Sequence, residues 1–126
     1  MSDLAEKIKT SRQLTIEVGH MKFFARRLTW LEYARIQSGR VDDFSALTEL
    51  QLVTGWENVH GRDIDQNGGD ELVPFDRQTF DEVIVDMPAA YQAIADKIIN
   101  ATQEFFKARE ENAKNSVAGT TKASGK

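Results

Sequence analysis

Two histidines, His20 and His60, are the residues of this sequence best suited to acid–base or metal chemistry. His20 falls in a predicted hairpin turn and His60 in a predicted loop. No catalytic or nucleotide-binding motif accompanies them, since HExxH, GxSxG and glycine-rich phosphate loops are all missing from the sequence. The sequence also contains no cysteine, which excludes disulfides and thiolate metal sites. We therefore predict two solvated loop histidines, no catalytic residue, no cofactor and no enzymatic activity.

An acidic stretch in the middle of the chain matches the first half of a calcium loop. The run Asp63-x-Asp65-x-Asn67-Gly68 places side-chain oxygens at positions 1, 3 and 5 of such a loop and a glycine at position 6. Position 12, which requires a bidentate glutamate, is Pro74. An acidic, hairpin-like loop explains the same residues without an ion, so we expect no bound metal. A small calcium-responsive binding module is kept as an alternative.

The predicted secondary structure begins with a β-hairpin. Residues 14–18 alternate between apolar and polar side chains, and the alternation resumes at Met21 after the pair Gly19-His20. Two alternating runs separated by two residues, the first a glycine, predict a hairpin with a type II′ turn. A lone hairpin is marginally stable in water, so one of its faces must pack on helices. The polar residues 1–12 are expected to form a frayed helix or a mobile arm.

A first helix is predicted over residues 29–38. Thr29-Trp30-Leu31-Glu32 is a capping-box pattern, and Gly39 suits the position just after a helix end. The residues expected to face inward are Trp30, Leu31, Tyr33 and Ala34.

A second helix is predicted over residues 44–54, because apolar residues recur there at every third position and Gly55 follows. After it the helical period is lost. Asn67-Gly68-Gly69 is a turn signal, so residues 59–64 and 71–74 are predicted to be two short extended arms of an exposed acidic loop.

The clearest local signals lie between Phe75 and Pro88. Asp76 is a suitable N-cap, and Phe75 and Phe80 occupy the two positions of a hydrophobic staple. Pro88 disfavours a helical conformation in the residue before it, so this helix must end near Asp86. Pro88 is itself well placed as the first residue of the next helix.

A long last helix is predicted from Pro88 to about Arg109. Its apolar residues cover about half of the circumference, whereas a helix that only caps a core shows an apolar stripe a little over about 100° wide. We infer that this helix offers part of its surface to a partner. The candidate partner-binding residues are Ile98, Ile99, Phe105 and Phe106, with Ile99 and Phe106 at the edge of the apolar arc.

The whole chain is predicted to fold as an α+β protein in which the N-terminal β-hairpin packs on a mainly α-helical domain. Its 126 residues allow one modest core. Residues 1–12 would form the mobile N-terminal arm, 13–111 a single domain, and 112–126 a disordered tail without apolar period. No apolar run is long enough to cross a bilayer.

Charge is unevenly distributed along the chain. Residues 1–40 carry eight Lys and Arg against four acids, a balance of +4, and residues 56–88 carry nine acids against two Arg, a balance of −7. This asymmetry favours self-association through unlike surfaces. The basic residues are dispersed and the acidic region would repel phosphate, so we expect neither nucleic acid nor membrane as a partner.

The order of these signals resembles that of the tail assembly chaperones of long-tailed bacteriophages. After the hairpin, Leu28-Thr29 opens a helix, and Gly55-Trp56-x-x-Val59 precedes an acidic turn. Val73-Pro74-Phe75-Asp76 then opens a helix, and Pro88 opens the long last one. The resemblance covers about residues 14–110 and depends on the order and spacing of the motifs. The acidic turn departs from the family pattern, since it is long and contains two consecutive glycines.

What the resemblance implies is a non-enzymatic role in the cytoplasm of an infected host cell. Proteins of this family bind the long, largely helical tape measure protein and keep it soluble until tail tube subunits polymerise around it. In many of them a ribosomal frameshift produces a longer form whose extra domain recruits the tail tube protein. The family is generally absent from the mature virion. A structural tail-completion or connector subunit of the virion is the alternative.

Overall fold

The computed structural model describes the backbone of residues 2–40 and 45–123 and the side chains of residues 3–40 and 45–114. The fold is α+β, with a three-stranded antiparallel sheet and six helices in this part of the chain. The strands are β1 (Gln13–Val18), β2 (Met21–Arg26) and β3 (Val53–Glu57). The helices are α1 (Ser2–Ser11), α2 (Trp30–Gln37), α3 (Ala46–Glu49), α4 (Gly61–Ile64), α5 (Arg77–Ile84) and α6 (Pro88–Ala123).

The predicted hairpin is confirmed as the pair β1–β2. Val18 lies opposite Met21, so the turn contains only Gly19 and His20. Gly19 has a φ of +61°, whereas His20 is not among the described residues with positive φ, which is the pattern of a type II′ turn. β2 is the central strand of the sheet, and its inward residues Met21, Phe23 and Ala25 are buried.

The predicted helix over residues 44–54 is wrong, because most of it is replaced by a short helix and a third strand. Gln51 has a φ of +52°, a conformation through which an α-helix cannot continue. The chain therefore turns after α3, and from Val53 it pairs with β2 as an edge strand. Gly55, expected after a helix end, lies inside this strand next to the ring of Phe24. Phe44 lies outside the described residues.

Helix α6 covers the sheet through one residue in every turn. Ala90, Ile94, Ile98 and Thr102 are buried at intervals of four, which is the spacing of one helix face. The Thr102 hydroxyl donates to the carbonyl of Ile98 (2.7 Å) and accepts from the backbone N–H of Leu28 (3.0 Å). This buried contact ties α6 to the chain that leaves β2.

Helix α5 begins and packs as its sequence predicts. The Asp76 carboxylate accepts from the backbone N–H of Thr79 (3.0 Å), which confirms the N-cap. The rings of Phe75 and Phe80 lie 6.0 Å apart, which confirms the staple. Phe80 and Ile84 are fully buried against the sheet and α6.

Helix α2 begins as predicted but faces another way. Thr29 and Glu32 form both hydrogen bonds of the capping box. Trp30 and Leu31, expected to face inward, are instead 58% and 67% exposed, and none of the described residues of α2 is fully buried. The cause is Glu32, which accepts two hydrogen bonds of 2.8 Å from the Arg26 guanidinium of β2. Because successive residues are rotated by about 100° around a helix, turning Glu32 to the sheet turns Trp30 and Leu31 away.

Both ends of the chain carry exposed helix. Residues expected to be a frayed helix or a mobile arm form α1, whose described side chains are all exposed. Helix α6 continues past its predicted end near Arg109 to Ala123, and its side chains from 107 to 114 are exposed. The disorder predicted for residues 112–126 stays a prediction, because side chains are described only to residue 114 and residues 124–126 lie outside the described part. Within the described residues, no helix combines the length and apolarity that a membrane crossing needs.

Candidate functional site

The four predicted partner-binding residues have different environments on α6. Ile98 is 1% exposed and belongs to the core between α6 and the sheet, so it offers no surface to a partner. Its selection as a binding residue was wrong, because the buried face of α6 passes through it at intervals of four. Ile99, Phe105 and Phe106 are half-buried and reach the surface.

Ile99 lines an open cleft of about 420 Å³ where α6 lies alongside α2 and α3. The floor and walls are mostly apolar, formed among the described residues by Leu28, Ile36, Leu47, Leu52, Tyr91 and Ile99. The polar groups at the cleft come from Gln37, Gln92, Asp96 and Asn100. An apolar floor with a few polar groups at the edge is the usual composition of a binding pocket.

Phe105 is engaged within the chain. The guanidinium of Arg27 lies 3.5 Å from the centroid of its ring and 5.4 Å from that of Phe106, close enough for cation–π attraction. Arg27 is buried, and it donates a hydrogen bond to the carbonyl of Leu28 (2.9 Å). Burial, together with the nearby charges of Arg12 and Arg109, lowers the pKa of Arg27 from its ordinary value. Phe105 therefore shields a buried cation, which is a structural role.

Phe106 joins an aromatic surface that the sequence did not reveal. Its ring packs edge-to-face on Trp30 at 5.8 Å, and Trp30 also lies 6.2 Å from Tyr33. Trp30 and the adjacent Leu31 are the large exposed apolar residues of α2. They were missed because an apolar pair inside a capping box was interpreted as core. The signal that could have found them is Glu32, whose pairing with a strand cation determines the inward side of this short helix.

The cleft and the aromatic surface lie along one seam between α2 and α6. Trp30 at the start of α2 contacts Phe106, and the Tyr33 hydroxyl accepts a hydrogen bond from the Gln103 side chain (3.3 Å). Ile36, one turn further, faces the cleft that Ile99 also lines. The two helices therefore run antiparallel. We call this strip the α2–α6 seam, and it consists of Trp30, Leu31, Ile36, Tyr91, Ile99 and Phe106.

The two histidines are brought together, contrary to the prediction of separate solvated loop residues. Their ring centroids are 5.6 Å apart. Nε2 of His20 lies 2.8 Å from Oδ2 of Asp63, and Nδ1 of His60 lies 3.5 Å from the same oxygen. The side chain of His60 is only 18% exposed. Long-range pairing of the hairpin turn with α4 causes this proximity, and local sequence carries no signal of it.

The acidic loop between β3 and α5 is only partly as predicted. Its two arms meet in a bridge between His60 and Leu72, as expected for a hairpin-like loop. The first arm, however, coils into the single turn of α4 instead of remaining extended. Gly68 lies so close to the carbonyl of Gly61 that a Cβ there would overlap it, so this position requires glycine.

The carboxylates of Asp63 and Asp65 in the calcium-like motif already have partners in the chain. The Asp63 carboxylate accepts from the backbone N–H of His60 (2.8 Å), and the Asp65 carboxylate accepts from that of Asn67 (3.2 Å). Burial raises the pKa of Asp63, but hydrogen bonds from His20 and from the His60 backbone lower it by a larger amount. The pKa of Asp63 is therefore below its ordinary value. Asp63 is therefore held ionised by the residues around it.

Comparison of the chain with known protein families, with curated proteins and with solved structures found no match. Arguments about function therefore depend on the surface of this chain and on the order of its sequence motifs.

Proposed function

We propose that this protein is a tail assembly chaperone of a long-tailed bacteriophage, which binds the tape measure protein and keeps it soluble while the tail tube polymerises. The observation that supports the proposal is the α2–α6 seam, which contains an open apolar cleft beside Ile99 and the exposed side chains of Trp30 and Leu31. The partner is taken from the resemblance in motif order, which implies a long helical protein.

The seam has the shape and composition for an amphipathic helix of the partner. In this mode of recognition a helix lays its apolar face along a groove and inserts a few large side chains. The cleft beside Ile99 would accept one such side chain or more, and Trp30 would cover the neighbouring turn. Tryptophan is enriched among residues that dominate binding energy. The polar groups of Gln92, Asp96 and Asn100 at the cleft would orient the bound helix by hydrogen bonds.

The rest of the proposed assembly follows from the resemblance and from charge. The protein would act in the host cytoplasm and be absent from the mature virion, and a frameshift-extended form would recruit the tail tube protein. Copies would associate through the basic residues 1–40 of one chain and the acidic residues 56–88 of another. Such contact between exposed charges weakens as salt rises.

Co-expression with the tape measure protein of the same phage tests the proposal. The first variant is Trp30→Ser with Leu31→Ser, since both residues are largely exposed and their loss leaves the core intact. The matched control is Leu72→Ser with Val85→Ser, two residues that are each 65% exposed but lie outside the seam. We expect the wild type and the control to keep the tape measure protein in the soluble fraction, and the seam variant to lose most of this activity.

A second variant, Ile99→Asp, places a charge in the cleft and is expected to have the same effect, provided that its circular dichroism spectrum matches the wild type. If both folded seam variants keep the partner soluble, the seam is not the binding surface. If the wild type fails to do so, the chaperone assignment is wrong. Recovery of the chain in purified particles would favour the structural tail-completion or connector subunit instead.

A further inference from the structure

His20, His60 and Asp63 form a compact group of metal-ligating side chains outside the α2–α6 seam. One potential ligand atom from each residue lies within 4.8 Å of the other two. The three residues come from two distant parts of the chain, the β1–β2 turn and the start of α4. Two imidazoles and one carboxylate are a common protein ligand set for divalent transition metals.

The distances within the group suit a small ion. A tetrahedral ion with bonds of about 2.0–2.2 Å holds its ligand atoms roughly 3.3–3.5 Å apart. Nδ1 of His60 and Oδ2 of Asp63 are already 3.5 Å apart. Nε2 of His20 is 2.8 Å from the same oxygen, so that pair would open by about half an ångström. The His20 side chain is 47% exposed at the tip of a turn, where such a shift meets little resistance.

Nδ1 of His60 supports a ligand in this position. It is buried, and its contact with Oδ2 of Asp63 at 3.5 Å is long for a hydrogen bond. A buried polar atom without a partner is costly, and in a native protein it calls for an explanation. A metal ion between this nitrogen and the Asp63 carboxylate would satisfy it.

The backbone around the group is fixed on both sides. The Asn58 side chain donates to the carbonyl of His20 (2.8 Å), which ties the hairpin turn to the end of β3. Asp63 accepts from the backbone N–H of His60 (2.8 Å), and the Gly61 N–H donates to the carbonyl of Glu71 (2.9 Å). Two of the three ligands therefore sit on a rigid turn, as a selective metal site requires.

We propose that His20, His60 and Asp63 bind one divalent transition-metal ion of the Zn²⁺ class, with water completing its coordination. The two ligand nitrogens, Nε2 of His20 and Nδ1 of His60, must each be free of hydrogen to bind the ion, so each neutral imidazole then carries its hydrogen on the other ring nitrogen. Calcium does not fit, because it prefers six to eight oxygen ligands. The bound ion would clamp the β1–β2 turn onto α4.

Isothermal titration of the full, untagged chain with ZnCl₂ tests the site, with CaCl₂ as the ion control. We expect one Zn²⁺ per chain, a higher Tm with Zn²⁺ and no response to calcium. His20→Ala removes an exposed ligand without touching the core and should weaken Zn²⁺ binding by at least about tenfold, the loss typical even for groups behind the ligands. Asp65→Asn, a neighbouring acid outside the group, is the matched control and should bind as the wild type does.

Further measurements decide the outcome. The pink Co²⁺ solution should turn blue on binding, since tetrahedral Co²⁺ absorbs more strongly than the hydrated ion, and His60→Ala should abolish the change. No saturable Zn²⁺ binding by the wild type, or unchanged Zn²⁺ affinity in His20→Ala, would overturn the proposal. A stoichiometry of one ion per two chains would also overturn it, because the ligands would then come from different copies.

Discussion

Helices α2 and α5 have the same length and each begins with a side-chain N-cap, yet they differ in how they contact the core. Each is eight residues long and begins with a side-chain N-cap, Thr29 in α2 and Asp76 in α5. Helix α5 buries Phe80 and Ile84 completely, whereas no described residue of α2 is fully buried. The comparison shows that a cap determines where a helix begins, and that other contacts determine which side faces inward.

The contacts that orient the two helices differ in kind. In α5, the residue before the cap packs on the ring of Phe80, and this apolar contact turns the apolar side inward. In α2, the pair of Arg26 and Glu32 turns a charged residue towards the sheet. Helix α2 is therefore oriented by a polar contact and leaves Trp30 and Leu31 exposed, while Tyr33 and Ile36 pack against the core.

Truncation of one aromatic residue in each helix should give the largest difference in the free energy of unfolding between α2 and α5. Phe80→Ala should lower the free energy of unfolding by roughly 3–5 kcal/mol, because it opens a cavity in the core. Trp30→Ala should cost about 1 kcal/mol or less, since most of that side chain is already in water. Urea denaturation of both variants measures the difference. Equal losses would show that Trp30 belongs to the core.

Removal of the caps should affect the two helices equally. Asp76→Ala and Thr29→Ala should each cost about 1 kcal/mol, because each leaves a backbone N–H of the first turn without its acceptor. The cost is local and does not depend on what the helix buries. The same denaturation series measures it, with Gln78→Ala, an exposed position of α5, as the control. A much larger loss for Asp76→Ala would mean that the cap and the staple act as one unit.

Acid should weaken α2 through Glu32. Burial raises the pKa of Glu32, but hydrogen bonds and attraction from Arg26, with hydrogen bonds from Thr29, outweigh it and lower the pKa below its ordinary value. The stabilisation is therefore complete above the ordinary glutamate pKa and is lost as pH falls through the lowered value. We expect the wild type to exceed Glu32→Gln by less than about 1 kcal/mol in free energy of unfolding at neutral pH, and this advantage to vanish in that acidic range. An advantage that persists in acid would contradict the ion pair.

The smallest effect on stability is expected for Leu31→Ser. The side chain is largely exposed, so the free energy of unfolding should stay within about 0.5 kcal/mol of the wild type. Val85→Ser should behave alike in the same measurement. If the proposed function is right, only Leu31→Ser should reduce binding of the proposed helical partner. A large destabilisation by Leu31→Ser would mean that α2 packs inward in solution.

The parts of the fold that follow from local chemistry were predictable. The hairpin register, both caps and the contact of Phe75 with Phe80 each depend on residues at most a few positions apart. Predictions failed where the local structure depends on contacts with residues far away in the sequence. The helical period ends at Gln51 because the chain from Val53 pairs with β2. This third strand lacks regular alternation because its pairing with β2 shifts register between Phe24 and Ala25, which leaves Thr54 unpaired.

The candidate sites show the same division. The surface position of Ile99 beside the cleft could be predicted from the width of the apolar arc on α6, whereas its role in binding stays a prediction. Trp30 was not, since its exposure depends on Arg26 in another element. His60 and His20 meet only after the sheet has formed and α4 has coiled, so no local pattern could pair them.

The two tryptophans have opposite environments, so the intrinsic fluorescence of the chain can report on each environment separately. Trp56 is 8% exposed and donates its indole N–H to the carbonyl of Val73 (2.7 Å), whereas Trp30 is largely in water. Indole emission shifts to shorter wavelength in apolar surroundings, and acrylamide quenches accessible indoles first. Acrylamide should therefore quench the emission of Trp30 in the folded chain and leave most of the emission of Trp56. Unfolding should then shift the remaining Trp56 emission to longer wavelength. A helix bound on the seam should shield Trp30 from acrylamide and restore its emission.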